Sequence, residues 1–69
     1  MRIKVGDTIT AFLFGGKIVS GKIESIELCA KDEKYGTSVE QCDTKNNNGV
    51  VDLDCGNWCY FYQIKNLKQ

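Results

Sequence analysis

Residues 49–64 read Gly49-Val50-Val51-Asp52-Leu53-Asp54-Cys55-Gly56-Asn57-Trp58-Cys59-Tyr60-Phe61-Tyr62-Gln63-Ile64. The first part of this stretch alternates apolar and polar residues, which predicts a strand because successive side chains of a strand point to opposite faces. Gly56-Asn57 then predicts a tight turn, and the aromatic-rich residues after it predict a second strand. This hairpin also contains the only tryptophan of the chain. We therefore expect the rest of the sheet to be organised around it.

Three earlier segments also have strand composition: Asp7–Phe14, Lys17 to about Leu28, and Thr37–Thr44. Gly15-Gly16 predicts a two-residue hairpin turn between the first two, because glycine readily adopts the positive φ angles that such turns require. Met1–Gly6 precedes them and predicts a short edge segment or an extended arm. The chain is therefore expected to be rich in antiparallel strands.

The segment Lys17–Leu28 is long for a strand, and its apolar residues change parity along the way. A bend or bulge at Gly21 or at the Glu24-Ser25 step would accommodate this change. An amphipathic helix over Lys22–Lys34 is the alternative, because three apolar residues in it have helical spacing. We favour the strand, since no capping residue separates the first five residues of the segment from those that follow.

The remaining segments are predicted connections. Cys29–Gly36 is polar and predicts an exposed loop, and the weakly apolar Thr37–Thr44 predicts an edge strand. Lys45–Gly49 ends in Asn-Gly, which favours a type I′ hairpin turn. Gln63–Leu67 predicts one closing helical turn, with its two apolar residues covering an open end of the sheet.

Length and composition bound the kind of protein. Sixty-nine residues predict a single domain over residues 1–69. Nine basic residues balance nine acidic ones, and this zero net charge disfavours nucleic acid as a partner. No apolar run approaches 18 residues and the N-terminus has no signal-peptide core, so we predict no membrane partner and a cytoplasmic location.

Several catalytic chemistries have no support in the sequence. The chain contains no histidine, the usual general base near neutral pH and a common metal ligand. It also lacks the glycine-rich motifs that bind phosphate. Asp52 and Asp54 lie two residues apart on a predicted strand, where a solvated face is the simpler interpretation than an acid–base pair. We therefore predict that the protein is not an enzyme.

The four cysteines leave three alternatives open. Cys55 and Cys59 are close in sequence and could form a cross-strand disulfide, whereas Cys29 and Cys42 each stand alone. A zinc site would need all four thiolates, commonly supplied as two close pairs. Reduced, unliganded thiols are the interpretation that we favour, since a cytoplasmic chain keeps its cysteines reduced. We accordingly predict no metal and no cofactor.

The aromatic residues are the candidate binding residues. Trp58, Tyr60 and Tyr62 share one face of the last predicted strand, and Phe12 and Phe14 share a face of the first. Packing in the core is the alternative, because tyrosines often bury the ring and keep only the hydroxyl in water. A small barrel has one interior, however, and apolar residues lie on both faces of these two strands. This surplus of apolar residues predicts a second buried surface, most simply between copies of the chain in a homo-oligomer.

The chain resembles the SH3-like barrels of the Tudor and KOW kind. The residues that carry the resemblance are Lys4-Val5-Gly6-Asp7, Gly15-Gly16-Lys17, Val19-Ser20-Gly21-Lys22-Ile23 and Val51-Asp52-Leu53 with Tyr60 and Ile64. The resemblance implies an all-β fold, a small five-stranded antiparallel barrel with a short closing helical turn. The region Cys29–Thr44 departs from it, being longer than a minimal barrel needs. A fold by itself implies no activity.

Two functions follow as hypotheses. The first is a non-enzymatic binding module that self-associates or docks a protein partner through the aromatic face around Trp58 and Tyr60. The second is a homo-oligomer that sequesters a nucleotide-like immune signalling molecule, as small bacteriophage accessory proteins do; it would then act in the host cytoplasm. In that case Trp58 or Tyr60 would stack on a base, and Lys17, Lys22 or Arg2 would meet a phosphate. A nucleic-acid-binding accessory module is a further alternative.

Overall fold

The computed structural model describes residues 1–29 and 36–68, which form eight short strands. The strands are β1 (Arg2–Lys4), β2 (Thr8–Phe12), β3 (Ile18–Leu28), β4 (Thr37–Val39), β5 (Gln41–Asp43), β6 (Gly49–Leu53), β7 (Trp58–Tyr60) and β8 (Ile64–Lys68). Phe14–Gly16 and Phe61–Gln63 form 3-10 helical turns, and no α-helix occurs in the described residues. All strand pairs are antiparallel, so the prediction of an all-β fold is confirmed.

The main sheet has the strand order β7-β6-β3-β2-β8, and β4 pairs with the far end of β3. Strands β1 and β5 form a separate two-stranded ladder. Neither ladder closes on itself within the described residues, so the closed five-stranded barrel stays a prediction. None of the described helical segments is long and apolar enough to span a bilayer.

Strand β3 connects the sheet because it pairs with β2, β4 and β6. Its pairing with β6 shifts register between Ile23 and Ser25, which confirms the bend predicted at the Glu24-Ser25 step. The strand continues to Leu28, so the alternative helix starting at Lys22 is wrong over residues 22–28. Residues 30–35, where the exposed loop was predicted, lie outside the described part of the chain.

The interior consists almost entirely of aliphatic side chains from alternating positions of the strands. Ile9, Val51 and Cys59 have no exposed surface, and Ile23, Ile26 and Leu53 are at most 2% exposed. Ile3 of β1 is also buried, which confirms the predicted edge segment at the N-terminus. The strand pleat therefore turns one face of the sheet inward and leaves the opposite face available for other side chains.

The first hairpin differs from its prediction in length. Strand β2 ends at Phe12, and the Leu13 N–H donates to the Lys17 carbonyl at 2.7 Å, so the turn spans residues 14–16. Gly15 and Gly16 have φ angles of +81° and +82°, which side chains rarely tolerate. The glycines thus make the turn as predicted, but the turn also includes Phe14 and moves its ring off the strand.

The asparagine-rich segment is a connection between sheets, and the hairpin predicted there is wrong. Strand β5 pairs with β1, whereas β6 pairs with β3 and β7. Asp43 organises the connection: its Oδ1 accepts from the Lys45 N–H at 2.9 Å, and its carbonyl accepts from the Asn47 side chain at 2.7 Å. The predicted strand Thr37–Thr44 is accordingly two short strands, each serving a different ladder.

The closing helical turn lies two residues earlier than predicted. Phe61–Gln63 form the turn, and Ile64–Lys68 continue as β8 along the open edge of β2. The pairing of β8 with β2 shifts register between Thr10 and Ala11. This irregularity lets Ile64 and Leu67 both pack against the core. Their three-residue spacing therefore reflects a bulged strand and not a helix.

Candidate functional site

Most aromatic side chains lie on the outside of the sheet. Of the six aromatic residues in the described part, Phe61 alone is buried, and the other five are between 37% and 73% exposed. These five are Phe12, Phe14, Trp58, Tyr60 and Tyr62. The alternative in which the aromatic face forms the core is therefore wrong. Exposed apolar rings in one region of a small protein commonly mark a place of interaction.

Tyr60 lies at the centre of the exposed rings. Its ring stacks on that of Tyr62, with centroids 5.4 Å apart and an interplanar angle of 7°. It meets Trp58 edge-on at 5.2 Å and Phe14 edge-on at 6.4 Å. Edge-on and stacked pairs are favourable arrangements for aromatic rings. We refer to Phe14, Trp58, Tyr60 and Tyr62 as the aromatic surface.

Local structure explains why these rings meet. Trp58 and Tyr60 alternate with the buried Cys59 on β7, so the pleat turns both rings outward. The 3-10 turn after β7 then brings Tyr62 beside Tyr60. Gln63 fixes this turn, because its Oε1 accepts from the Tyr60 N–H at 2.9 Å and its side chain is buried. Phe14 reaches the same region from the first hairpin turn.

Three concave regions border the aromatic surface. The Trp58 groove, about 320 Å³, is lined by Leu13, Phe14, Gly56, Asn57, Trp58 and Gln63. The Phe12 groove, about 260 Å³, is lined by Phe12, Leu13, Phe14, Tyr62, Gln63, Ile64 and Lys65. The Tyr62 pocket, about 440 Å³, is lined by Thr44, Lys45, Asn47, Asn48, Gly49, Tyr60, Phe61 and Tyr62. The rings thus separate depressions that differ in polarity.

The charges around these depressions are of one sign. In the described part of the chain, no carboxylate lines any of the three, whereas Lys45 lines the Tyr62 pocket and Lys65 the Phe12 groove. The Nζ of Lys65 lies 5.3 Å from the centroid of the Phe12 ring, within the range of a cation–π contact. This arrangement suits neutral or anionic groups. A cation-binding aromatic cage is disfavoured because nothing in the lining offsets a positive charge.

The Asp43 carboxylate lies beside Lys45, whose N–H donates to its Oδ1 at 2.9 Å. The backbone hydrogen bond from Lys45 holds the pKa of Asp43 below its usual value, and the N-terminal ammonium adds to this effect. That ammonium lies 3.5 Å from Asp43 Oδ1, so the carboxylate already has a basic partner. The Lys45 side chain is exposed beside it and is not paired with a carboxylate in the described residues.

The structure brings together the predicted aromatic residues but not the predicted lysines. Lys17 and Lys22 are exposed and line none of the three depressions. Lys22 lies by the final hairpin turn, where its N–H donates to Asp54 Oδ1 at 2.9 Å. The sequence reasoning missed Lys45, Asn47 and Asn48, because the asparagine run was interpreted only as a turn.

The four cysteines are free thiols in very different surroundings. Burial raises the pKa of Cys59 to about 11, and burial also raises the pKa of Cys42. Cys55 is exposed, and a hydrogen bond from the Asn57 side chain lowers its pKa. The disulfide alternative for Cys55 and Cys59 is not realised, since one is exposed in the turn and the other is fully buried.

Acidic and metal-ligating groups do not assemble into a second site. Within residues 1–29 and 36–68, no group of three or more histidine, cysteine or acidic side chains is arranged to hold a metal ion. Asp52 and Asp54 are both exposed, as predicted, and bond to Ser25 and to the Lys22 N–H. Comparisons of the chain with family models, curated proteins and solved structures find no match.

Proposed function

We propose that this protein is a non-enzymatic binding module that works through the aromatic surface. The observation that carries the proposal is the exposure of five of the six described aromatic rings beside an interior already filled by aliphatic residues. Large rings held in water forgo the stabilisation that burial would give, about 1.5–3 kcal/mol for a side chain the size of phenylalanine. A partner that covers them recovers this free energy.

The SH3-like barrel that the sequence resembles remains our proposed fold family. In chain order, β2, β3, β6 and β7 are neighbours in the sheet, and β8 returns past a 3-10 turn to pair with β2. This succession supports the resemblance, although the ladder is open. The fold family alone does not specify a partner.

Self-association is the form of binding that we propose for the aromatic surface. The chain has zero net charge, so two copies would approach without strong repulsion. An isologous dimer places the same patch on both sides of the interface, which suits rings that can stack on or meet edge-on their own copies. A protein partner of different sequence would use the same surface and is the second outcome of the test.

Trp58 provides the measurement, because it is the only tryptophan and is 51% exposed on this surface. We expect its emission to shift to shorter wavelength as the protein is concentrated, in parallel with a rising mass in sedimentation equilibrium. Tyr60→Ser should weaken association, whereas Ile18→Ser should not. Ile18 is a suitable control because it is 62% exposed but lines none of the three depressions.

The outcomes separate the alternatives. A constant monomer mass with unchanged emission would show self-association to be wrong and leave a different partner for the surface. Equal weakening by Ile18→Ser and Tyr60→Ser would place the interface elsewhere. If Trp58→Ala lowers stability and leaves the rise of mass in sedimentation equilibrium unchanged, the aromatic surface has a structural role alone.

A further inference from the structure

We propose that the Tyr62 pocket binds a mononucleotide, with its base against the Tyr62 ring and its phosphate near Lys45. This site lies beside the aromatic surface and shares Tyr60 and Tyr62 with it. In that respect alone it rests on the proposed binding function. The pocket is the largest of the three depressions described above, about 440 Å³. Pockets for small organic ligands commonly measure roughly 300–1,000 Å³, so its size is appropriate.

The stacked tyrosines supply the flat surface. Tyr62 uses one face of its ring to stack on Tyr60, and 73% of the residue remains exposed. A base that adds to this stack would continue an existing parallel arrangement. Because every base has a π-face, stacking of this kind favours a flat heteroaromatic ring without selecting one base.

The rest of the lining supplies polar groups. Asn47 and Asn48 line the pocket together with Thr44, and side-chain amides present both donors and acceptors to the edge of a base. The side-chain nitrogen of Asn47 donates to the Asp43 carbonyl at 2.7 Å, which anchors this residue on the turn. A purely apolar ring would leave these groups without partners, so this lining favours a base over a hydrocarbon ring.

The charge of the pocket favours an anionic ligand over a neutral one. Lys45 is exposed in the lining, no carboxylate of the described residues lines the pocket, and Asp43 already has the N-terminal ammonium as its partner. A phosphate attached to the base would therefore meet an ammonium group that forms no ion pair with a carboxylate of the described residues. The sequence had assigned this role to Lys17, Lys22 or Arg2, whereas the structure places Lys45 in the pocket.

Isothermal titration calorimetry with AMP, adenosine and inorganic phosphate tests the proposal, with backbone amide shifts locating the site. AMP should bind, adenosine should bind several-fold more weakly, and phosphate alone should not bind. The shifts should concentrate in residues 44–49 and 60–62. Tyr62→Leu should weaken AMP binding about 5- to 150-fold, the range expected for loss of one base–ring stack.

Matched variants separate stacking from charge. Lys45→Gln should weaken AMP binding about three- to tenfold and leave adenosine binding unchanged, because it removes an exposed charge-assisted contact. Lys22→Gln and Phe12→Leu change an exposed lysine and an exposed ring that do not line the pocket, so both should bind AMP like the original protein. Tyr62→Phe, which keeps the ring, should also retain binding.

The proposal is overturned if AMP fails to bind, if Tyr62→Leu binds it unchanged, or if the amide shifts lie outside the two segments. Equal losses for Lys22→Gln and Lys45→Gln would likewise overturn it, because the attraction would then be non-specific. Because self-association would cover the shared Tyr60 and Tyr62 rings, the titrations are made at concentrations where sedimentation equilibrium shows the monomer. AMP binding then holds or fails independently of self-association.

Discussion

The two faces of strand β7 contrast within three residues. Cys59 has no exposed surface, whereas Trp58 and Tyr60 on either side of it are 51% and 37% exposed. The same contrast extends over the molecule, since the interior is aliphatic and the outside carries the rings. In a chain of 69 residues, where core is scarce, placing large rings outside sacrifices stability. The difference separates an interior that stabilises the fold from an outer surface that contributes less to it, and it is this outer surface that we propose to bind a partner.

The largest effect is expected at the closest backbone approach to the interior. A Cβ on Gly49 would clash with the Glu27 carbonyl oxygen and lie 2.6 Å from Phe61 Cζ. Gly49→Ala should therefore prevent the native packing of β6, seen as loss of cooperative unfolding in urea. Gly56→Ala is the control: its φ of +87° costs about 1–2 kcal/mol but the Cβ meets nothing within 4 Å. Equal effects would contradict this account.

Phe61 and Tyr62 test this contrast most directly, because they are adjacent in sequence but one ring lies in the interior and the other is exposed to solvent. Phe61 is 7% exposed and Tyr62 is 73% exposed. Phe61→Ala should lower the free energy of unfolding by about 3–5 kcal/mol. Tyr62→Ala should change it by about 0.5 kcal/mol or less. Urea unfolding followed by circular dichroism measures both, and similar losses would show that the outer rings are structural.

Cys59 makes the interior sensitive to alkaline pH. Burial raises its pKa from 9.0 to about 11, so the folded thiol stays protonated while the unfolded thiol ionises. Stability from this group is therefore full below pH 9 and is lost as the pH rises towards 11, by about 2–3 kcal/mol. Cys59→Ala removes the titrating group. Its unfolding free energy should depend less steeply on pH over this range than that of the original protein; parallel curves would refute the assignment.

Tyr60→Leu should have a smaller effect on stability than the interior substitutions. The substitution removes three ring contacts, yet Tyr60 is 37% exposed and leucine retains part of the apolar cover. We expect a loss of about 0.5–1.5 kcal/mol in the free energy of unfolding, the contribution of an aromatic pair. The same variant should reduce the concentration dependence of Trp58 emission. A loss comparable to that of Phe61→Ala would show that the outer face contributes as much to stability as the interior does.

The strand content could be predicted because it depends on local pattern. Strand composition marked β2 and β3, and alternation marked β6. Gly15-Gly16 and Gly56-Asn57 marked two turns, and the change of parity in Lys17–Leu28 marked the bulge at Glu24-Ser25. The pairing partners of the strands were harder to predict than the strands themselves. Asn48-Gly49 has the composition of a hairpin turn, but β5 and β6 pair with strands distant in sequence, and no local signal reports such pairing.

The aromatic surface was partly predictable for the same reason. The pleat places Trp58 and Tyr60 on one face whatever the fold, so their grouping followed from the sequence. Whether that face lies inside or outside depends on the curvature of the whole sheet. Lys45 and Asn47 could not be assigned to a pocket, because they approach Tyr62 only when the connection after β5 passes beside β7.

The sequence by itself determined an all-β chain, the turns at Gly15-Gly16 and Gly56-Asn57, the absence of histidine and the set of rings that share a face. These properties follow from side-chain alternation and turn stereochemistry, which act over a few residues. Tertiary structure alone decided that the rings are outside, that the C-terminal residues pair as β8, and that Lys45 joins the Tyr62 pocket. Those outcomes depend on which distant segments pair with each other and on which side chains the one small interior can bury.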